Sequence, residues 1–237
     1  MPPATLALLE RRWSLVALAQ GHTCFSAGDR IERVYFPISG LISLVIATGR
    51  GELAEAGMVG REGAVGLQTA FGPRTSHTRA TVRVAGSAYT MAADALREAV
   101  QRSEAAQAAV INYTEVLWAE AQHLAVCNAV HDASSRLARW LLQCADRTDG
   151  ERVPLTQEFL GEMLGITRTS VTLLAQNLQA RDIIRYGRGR ITIADRRALE
   201  SHACECYRAM RELYRDQPGS GLRTPRNDAI GRAHQLE

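Results

Sequence analysis

Residues 156–178 read TQEFLGEMLGITRTSVTLLAQNL, and this stretch decides the fold of the C-terminal half of the chain. Leu160, Met163 and Leu164 would form the buried face of a first short helix, and Gly165 is the residue type that ends a helix in the left-handed conformation. Thr167 has the side chain of an N-cap for a second helix. The apolar residues of this second helix recur at intervals of three and four: Val171, Leu174 and Leu178. Two short helices joined by a glycine-containing turn are typical of a helix-turn-helix.

A β-hairpin is predicted directly after the second helix. Residues 183–186 and 190–193 are β-prone, and a Gly-Arg-Gly tip lies between them, as in the wing of a winged helix. Residues 164–197 contain seven arginines and two acids, a local net charge of +5 against +3 for the whole chain. This charge favours a phosphate backbone as the partner. The alternative is a solvated arginine face on a protein-interaction module.

Composition places the chain among globular proteins of one or two domains, with 237 residues, 46% of them apolar and 22% charged. No apolar run approaches the ~20 residues that span a bilayer, and the N-terminus lacks the pattern of a secretory signal. We therefore expect a cytoplasmic protein with no membrane partner. All 28 cationic residues are arginines. The guanidinium fork suits phosphates and guanine edges, although codon usage in a GC-rich genome is an alternative reason for the bias.

The region from residue 21 to residue 92 alternates glycines with short β-prone runs, which are residues 33–36, 41–46, 52–56, 81–85 and 88–91. Short strands at close spacing predict an all-β sandwich, jelly roll or barrel. Strands do not alternate with long helices here, so a parallel α/β sheet is not expected. A short helix is predicted before this region, over residues 6–19.

Helical periodicity begins near residue 93 and lasts to about residue 147, and residues 103–128 contain no Gly or Pro. One apolar row has heptad spacing and is interrupted by Glu120: Val110, Leu117 and Leu124, with Ala106, Tyr113 and Cys127 beside them. We predict this row as the seam of a homodimer. A second row would pack on the β domain: Ile111, Trp118, Ala121 and Ala125. The alternative is a single helix buried inside one core.

The five cysteines do not have the spacing of a disulfide framework. Cys204-Glu205-Cys206 follows His202 and has the form of half a zinc site, but the sequence shows no second cluster with zinc-like spacing. We therefore expect structural thiols, with no metal and no cofactor. Residues 216–237 are rich in Gly, Pro and Arg and are predicted to form a disordered tail.

Two segments of the chain resemble the Crp/Fnr family of bacterial transcription regulators. One is FSAGDRI at 25–31 with VYFPISG at 34–40 and GREGAVG at 60–66, and the other is the helix-turn-helix. The resemblance implies an α+β fold, with an N-terminal double-stranded β-helix jelly roll, a long dimerisation helix and a C-terminal winged helix-turn-helix. The corresponding segments are a cyclic-nucleotide-binding-like sensor domain at 12–95, the helix at 96–131, the DNA-binding domain at 132–207 and the tail at 216–237. The implied partners are a near-palindromic DNA operator, a second copy of the chain and RNA polymerase.

The resemblance also implies the DNA-contacting residues. Arg168, Thr169 and Leu173 match positions at which cyclic-AMP-responsive members contact bases. Arg168 retains the guanine-reading residue type, whereas Thr169 and Leu173 replace an acidic and a basic residue, so a different operator sequence is expected. Wing residues would contact phosphate. The remaining candidates are Thr156, Gln157, Ser170, Thr172, Gln176, Arg188 and Arg190.

Cyclic-nucleotide-binding members of the family use a Gly-Glu-aliphatic turn and an Arg-Ser/Thr pair. Here the turn is Glu62-Gly63-Ala64, without the aliphatic residue, and the arginine position falls on Thr78, with Arg79 one residue late. A one-residue slip turns a strand side chain to the opposite face, unless a bulge restores it. We therefore expect an unknown effector, or none, and no cyclic-nucleotide binding through this pattern.

Two alternatives remain open for the β domain. The first is a regulator of the same fold that responds to a cyclic nucleotide or to another small ligand. The second is a metal-dependent enzyme of the cupin type, which is disfavoured because His22 and His77 stand alone and no catalytic set is apparent. An iron–sulfur sensor of the family's kind is also not expected, because Cys24 is the one cysteine in the N-terminal half.

Overall fold

The computed structural model describes residues 12–148, 150–154, 157–187 and 189–215. Its N-terminal domain is an antiparallel β-roll, as the glycine-punctuated sequence predicts. Its strands are β1 (Ser14–Leu18), β2 (Thr23–Phe25), β3 (Arg33–Ala47), β4 (Leu53–Val59) and β5 (Arg79–Ala92). The sheet order is β1-β5-β3-β4, and β2 also pairs with β5.

Two long bent strands, β3 and β5, replace four of the predicted short ones. Their register shifts between Pro37 and Leu41, where the pair bends. Gly40 lies at this bend with φ +85°, and a Cβ there would be 2.5 Å from the carbonyl oxygen of Val84. A Cβ on Gly86 would be 2.3 Å from the carbonyl oxygen of Ser39. The glycines therefore allow the two backbones to approach where the ladder curves into a roll.

The predicted opening helix is wrong where the structure describes it. Ser14–Leu18 is a strand that pairs with the edge of β5, in the register Ser14 to Thr90. Leu18 is buried in the roll, and Trp13 stacks on Phe36 at 5.6 Å between ring centroids. Pairing with β5 and burial of Leu18 in the roll outweigh the helical propensity of this segment, so tertiary structure overrides local propensity. Residues 6–11 of the prediction lie outside the described residues.

The C-terminal half is helical with a small sheet. Its helices are α1 (Ala93–Arg102), α2 (Glu104–Val130), α3 (Ala133–Arg147), α4 (Gln157–Leu164), α5 (Arg168–Ala180), α6 (Arg196–His202) and α7 (Cys206–Arg215). Strands β6 (Arg152–Val153), β7 (Ile184–Gly187) and β8 (Arg190–Ile193) form the sheet in the order β6-β8-β7. The helix expected over 96–131 is interrupted at Ser103, whose extended backbone ends α1 and whose hydroxyl caps α2 by accepting from the Ala106 N–H.

The two apolar rows of the long helix α2 have exchanged their predicted roles: the row expected at a dimer seam is buried within the chain, and the row expected to pack on the β domain is exposed. Its buried residues are Ala106, Val110, Tyr113, Val116, Glu120, Leu124 and Cys127. Ile111 and Trp118, which were expected to pack on the β domain, are 48% and 65% exposed. The assignment of the Val110–Leu124 row as a dimer seam is therefore wrong, because α1, α7 and the β-roll of the same chain cover it. Periodicity locates two apolar rows but not the partner of each.

One hydrophobic core joins the β-roll to the C-terminal half. Leu41, Val45 and Met58 of the roll belong to the same buried cluster as Trp140 of α3 and Phe159 of α4. The Trp140 Nε1–H donates to Glu55 Oε1 at 2.6 Å across this interface. Burial raises the pKa of Glu55 to about 7, although the hydrogen bonds from Ser43 and Trp140 oppose this shift. The two halves of the chain therefore share a packed interface and are not independent domains joined by a linker.

The length and hydropathy of the helices bear on whether any of them could span a membrane. Within the described ranges, none of them is both long and apolar enough to cross a bilayer. The predicted disordered tail at 216–237 lies outside the described residues.

Candidate nucleic-acid interface and sensor site

The helix-turn-helix forms from local signals in the sequence. Gly165 ends α4 with φ +64°, and the Ile166 N–H donates to the Gly161 carbonyl at 3.0 Å in the turn. A Cβ on Gly161 would be 2.9 Å from the carbonyl oxygen of Ile166, so the tight turn requires glycine there. The Thr167 hydroxyl accepts from the Ser170 N–H at 3.2 Å and caps α5. The predicted C-cap and N-cap are both present.

Helix α5 has one buried face and one exposed face. Val171, Ala175 and Leu178 are buried in the domain core. The exposed face carries Arg168, Thr169, Leu173 and Gln176. These four are predicted DNA contacts, and they lie together from the first turn of the helix onward. A helix N-terminus also attracts anions through its free N–H groups.

Two predicted contacts of α5 are only partly available. Ser170 and Thr172 are half-buried. The Ser170 hydroxyl lies 2.9 Å from that of Thr167, and the Thr172 hydroxyl donates to the Arg168 carbonyl at 3.0 Å. Both hydroxyls therefore take part in local hydrogen bonds of the helix.

The wing places further arginines beside α5. Arg190 and Arg185 are exposed on neighbouring strands of the hairpin. Thr156 and Arg188 lie outside the described residues, and Gln157 is described only as the first residue of α4. Arg196 does not belong to this face, although it counts toward the local charge. Its guanidinium pairs with Asp146 and Glu200 and donates to the Tyr207 hydroxyl at 2.7 Å.

A cavity of about 630 Å³ lies beside the predicted effector turn, between the β-roll, α1 and the first half of α2. Glu62, Gly63 and Ala64 line it, whereas Thr78 and Arg79 lie outside its described lining. A Cβ on Gly63 would be 1.7 Å from the hydroxyl of Tyr113, which packs directly against the turn. The glycine that replaces the expected aliphatic residue therefore makes room for α2.

Glu62 is held by a buried ion-pair network. Its Oε1 accepts from the Gly60 N–H at 2.9 Å and from Arg147 Nε at 2.8 Å. Arg147 Nη2 also donates to Glu120 Oε1 at 3.0 Å, and Tyr214 donates to the same carboxylate. The side chains of Arg147, Glu62 and Glu120 are all 2% exposed or less. Burial alone would lower the pKa of Arg147, but the two carboxylates hold it well above its usual range.

Two family descriptions match the two halves of the chain. The cyclic nucleotide-binding domain matches residues 15–103, and the Crp-like helix-turn-helix domain matches residues 135–202. This chain belongs to the Crp/Fnr family of transcription regulators.

Relatives and solved structures agree with this assignment. The CRP-like cAMP-activated global transcriptional regulator of Mycobacterium tuberculosis is 28% identical over 211 residues, which cover 85% of this chain and 93% of the relative. Among solved structures, FixK2 from Bradyrhizobium japonicum matches with a TM-score of 0.70 at 17% identity, over 81% of this chain and 98% of that one. The c-di-GMP responsive global regulator CLP of Xanthomonas campestris matches with a TM-score of 0.65 at 17% identity, over 82% and 100%. These structures share the fold.

Arg79 lies on the exposed face of β5. Ala80 and Val82 of β5 are buried inside the roll, whereas Arg79 is exposed. Alternate residues of a strand share a face, so Arg79 lies on the same side as Arg83. The Arg83 guanidinium stacks over the Phe159 ring at 4.1 Å, against the DNA-binding domain.

The sequence alone did not reveal the ion-pair network around Glu62. Arg147 lies 85 residues away from Glu62, and Glu120, the second carboxylate that Arg147 binds, lies on α2, so neither has a local signature. One signal was available, since Glu120 interrupts an otherwise apolar row of α2. A buried carboxylate requires a cationic or hydrogen-bonding partner, and such an interruption therefore marks a buried polar network in a Crp/Fnr chain.

Proposed function

We propose that this Crp/Fnr chain binds a near-palindromic operator as a homodimer, with α5 of each copy in a major groove. The observation that supports this proposal is the exposed face of α5, which carries Arg168, Thr169, Leu173 and Gln176 beside the wing residue Arg190. Side chains at the start of such a helix reach base edges, whereas wing arginines contact phosphate. The protein would act on chromosomal DNA in the cytoplasm, with RNA polymerase as its downstream partner.

The exposed row of α2 supports the homodimer. Ile111, Trp118 and Ala125 recur every seven residues, the spacing at which two helices pack along a seam. Val126 and Val130 extend the exposed apolar surface toward the end of the helix. A second copy of the chain fits this surface because the same row pairs with itself across a two-fold axis.

Selection of bound sequences from random DNA tests the operator proposal. We expect two inverted half-sites whose centres lie about 34–36 Å apart, or about 10–10.5 base pairs, as a two-fold dimer of this motif requires. A single unpaired half-site would contradict the homodimer. No enrichment of any sequence would contradict specific binding.

We propose further that the protein does not bind cyclic nucleotides in the manner of the cyclic-AMP-responsive members. Glu62, the carboxylate of the effector turn, is already paired with Arg147, and Arg79 lies on the outer face of β5. A nucleotide would have to displace a fully buried ion pair, and Arg79 lies outside the described lining of the cavity. Calorimetry with cyclic AMP, cyclic GMP and cyclic di-GMP should show no micromolar binding. Stoichiometric heat with any of them would overturn this part of the proposal.

A small apolar effector is the second candidate, and the cavity of about 630 Å³ favours it. Leu96, Val100 and Val110 give this cavity an apolar lining, with Glu62 at one side. Its volume lies within the range of about 300–1,000 Å³ that is typical of ligand sites. Binding of the probe 8-anilinonaphthalene-1-sulfonate, measured for the wild type and for Ala109→Trp, tests it. A bound probe that Ala109→Trp displaces supports an effector site, whereas equal probe binding by the two proteins contradicts one.

A further inference from the structure

Four potential metal ligands meet where the long helix joins the DNA-binding domain. Cys127 lies in the last turn of α2, and His131 follows that helix. Cys204 lies between α6 and α7, and Cys206 is the first residue of α7. One ligand atom from each lies within 4.8 Å of the others. This cluster, called the junction cluster below, combines residues that are 77 positions apart in the sequence.

The spacing of the junction cluster matches a tetrahedral metal site. The Sγ atoms of Cys127 and Cys204 are 3.5 Å apart, and Cys206 Sγ lies 3.7 Å from His131 Nδ1. In a tetrahedral zinc site with Zn–S bonds of ~2.3 Å, ligand atoms are separated by about 3.8 Å. The side chains therefore already surround a position of the right size for one ion.

The two halves of the cluster have different local origins. Cys127 and His131 are four residues apart, which places them on the same face of a helix, and the His131 N–H extends the helix by donating to the Cys127 carbonyl at 3.1 Å. Cys204 lies in the turn before α7 and Cys206 is the first residue of that helix, where the Tyr207 N–H donates to the Cys204 carbonyl at 3.0 Å. The sequence predicted structural thiols at 204 and 206, because it shows no second cluster and only the fold brings Cys127 and His131 beside them.

An exposed carboxylate orients the histidine. Glu205 is 75% exposed, and its Oε1 lies 3.1 Å from His131 Nε2. With the Nε2–H donating to Glu205, the lone pair of Nδ1 points toward the thiols. Histidines that ligate metals usually donate their other ring N–H to a carboxylate in this way, so Glu205 has the position expected of such a partner.

Binding of a metal ion would release the thiol protons of the three cysteines, because metal ligands must be thiolates rather than thiols. The three cysteines are 7% exposed or less, so a bound ion would have no open position for water.

We propose that Cys127, His131, Cys204 and Cys206 form a closed site that binds one Zn²⁺ per chain. Soft thiolate and imidazole ligands in a tetrahedral arrangement select zinc among the common divalent ions, and four protein ligands make the site structural rather than catalytic. The ion would join the end of α2 to the segment after the wing. It would thereby add a link across the junction at residues 131–132, beside the core that the two halves share. This site is independent of the operator and effector proposals.

Metal titration of the full-length reduced protein under anaerobic conditions tests the site. We expect one equivalent of Co²⁺ to bind, with a thiolate charge-transfer band and the intense visible bands of tetrahedral cobalt, and Zn²⁺ to displace it. Cys206→Ser should abolish these bands. Cys24→Ser is the matched control, because that thiol lies in the β-roll, and it should retain them in full.

A second variant keeps the test informative if Cys206→Ser fails to fold. Glu205→Gln changes an exposed side chain and leaves all four ligands in place. Loss of an orienting partner weakens metal affinity by about 10- to 100-fold, which competition with a chelator of known affinity would measure.

Three results would overturn the proposal. The first is the absence of Co²⁺ and Zn²⁺ uptake by the reduced wild type. If the protein is isolated with a Cys127–Cys204 disulfide, the same result applies once that disulfide has been reduced. The second is equal uptake by the wild type and a folded Cys206→Ser variant, which would assign the metal elsewhere. The third is an octahedral cobalt spectrum, which would exclude the three-thiolate ligand set.

Discussion

Replacing Arg147 with methionine removes the charge that holds the effector turn to the DNA-binding domain while nearly preserving side-chain length. The guanidinium donates to Glu62 at 2.8 Å and to Glu120 at 3.0 Å, and all three side chains are 2% exposed or less. The variant therefore leaves two buried carboxylates without their cation. Removing one partner of a buried ion pair destabilises a protein by about 3–5 kcal/mol. For a chain of this size the melting temperature should fall by on the order of 10 °C.

The pH dependence of this loss provides a second measurement. A buried carboxylate without a counter-charge costs more free energy when it is ionised than when it is protonated. The cost of removing the guanidinium should therefore rise with pH. The difference between the wild type and Arg147→Met should therefore be larger at pH 8 than at pH 5.

Guanidinium denaturation followed by tryptophan fluorescence measures both effects, because Trp140 is buried at the same domain interface. Arg208→Met is the matched control, since Arg208 is exposed on α7, and exposed substitutions usually change stability by less than about 0.5 kcal/mol. Combining Arg147→Met with Glu62→Gln and Glu120→Gln should restore much of the loss by removing the buried charges. A loss below about 1 kcal/mol for the single variant, or no recovery in the triple variant, would refute the reasoning.

Three further predictions concern DNA, pH and assembly. Arg168→Ala should weaken operator binding by about 5- to 150-fold and random DNA less, whereas Arg190→Ala should weaken both equally and lower the salt slope by about one; equal losses in gel shifts would make Arg168 a phosphate contact only. Burial raises the pKa of Glu55 to about 7. The contribution of Glu55 to the free energy of unfolding is therefore complete below the ordinary pKa of a glutamate and is lost as the pH rises through 7, and this loss amounts to roughly 3 kcal/mol. Glu55→Gln should flatten the wild-type decline in unfolding free energy between pH 5 and 8, and an unchanged slope would contradict this. Trp118→Glu should raise the dimer dissociation constant by about three orders of magnitude, because an interface tryptophan is typically worth about 2 kcal/mol or more and a two-fold interface contains it twice; a variant that sediments as the wild type does would contradict the assignment of the exposed row.

The DNA-binding half was predictable because its determinants are local. Gly165 and Thr167 act through the backbone within three residues of themselves, so the ends of both helices follow from residue type and position. The hairpin is likewise determined by a glycine tip between two β-prone runs. The face that α5 exposes follows from the same periodicity, since the positions of Val171 and Leu178 fix which side is buried.

The sensor half was less predictable because its determinants are distant in the sequence. The two apolar rows of α2 are similar in periodicity, and only the packing of α1, α7 and the β-roll decides that Val110 is covered and Trp118 is not. Arg147 gave no local signal at all, since an arginine in an amphipathic helix ordinarily faces water. The strand Ser14–Leu18 was misassigned for a related reason, because its partner β5 begins some 60 residues later.

Helix α3 is the element through which the two halves of the molecule contact each other. Trp140 and Arg147 are seven residues apart and therefore lie on one face of α3, where they bond to Glu55 and Glu62 of the β-roll. Leu137 and Leu141 of the same helix belong to the core that also contains Val171 of α5. A change at Glu62 would thus act on a helix that shares a core with α5. Because Glu62 also lines the cavity, the proposed effector would act on α3 by altering the pairing of Arg147.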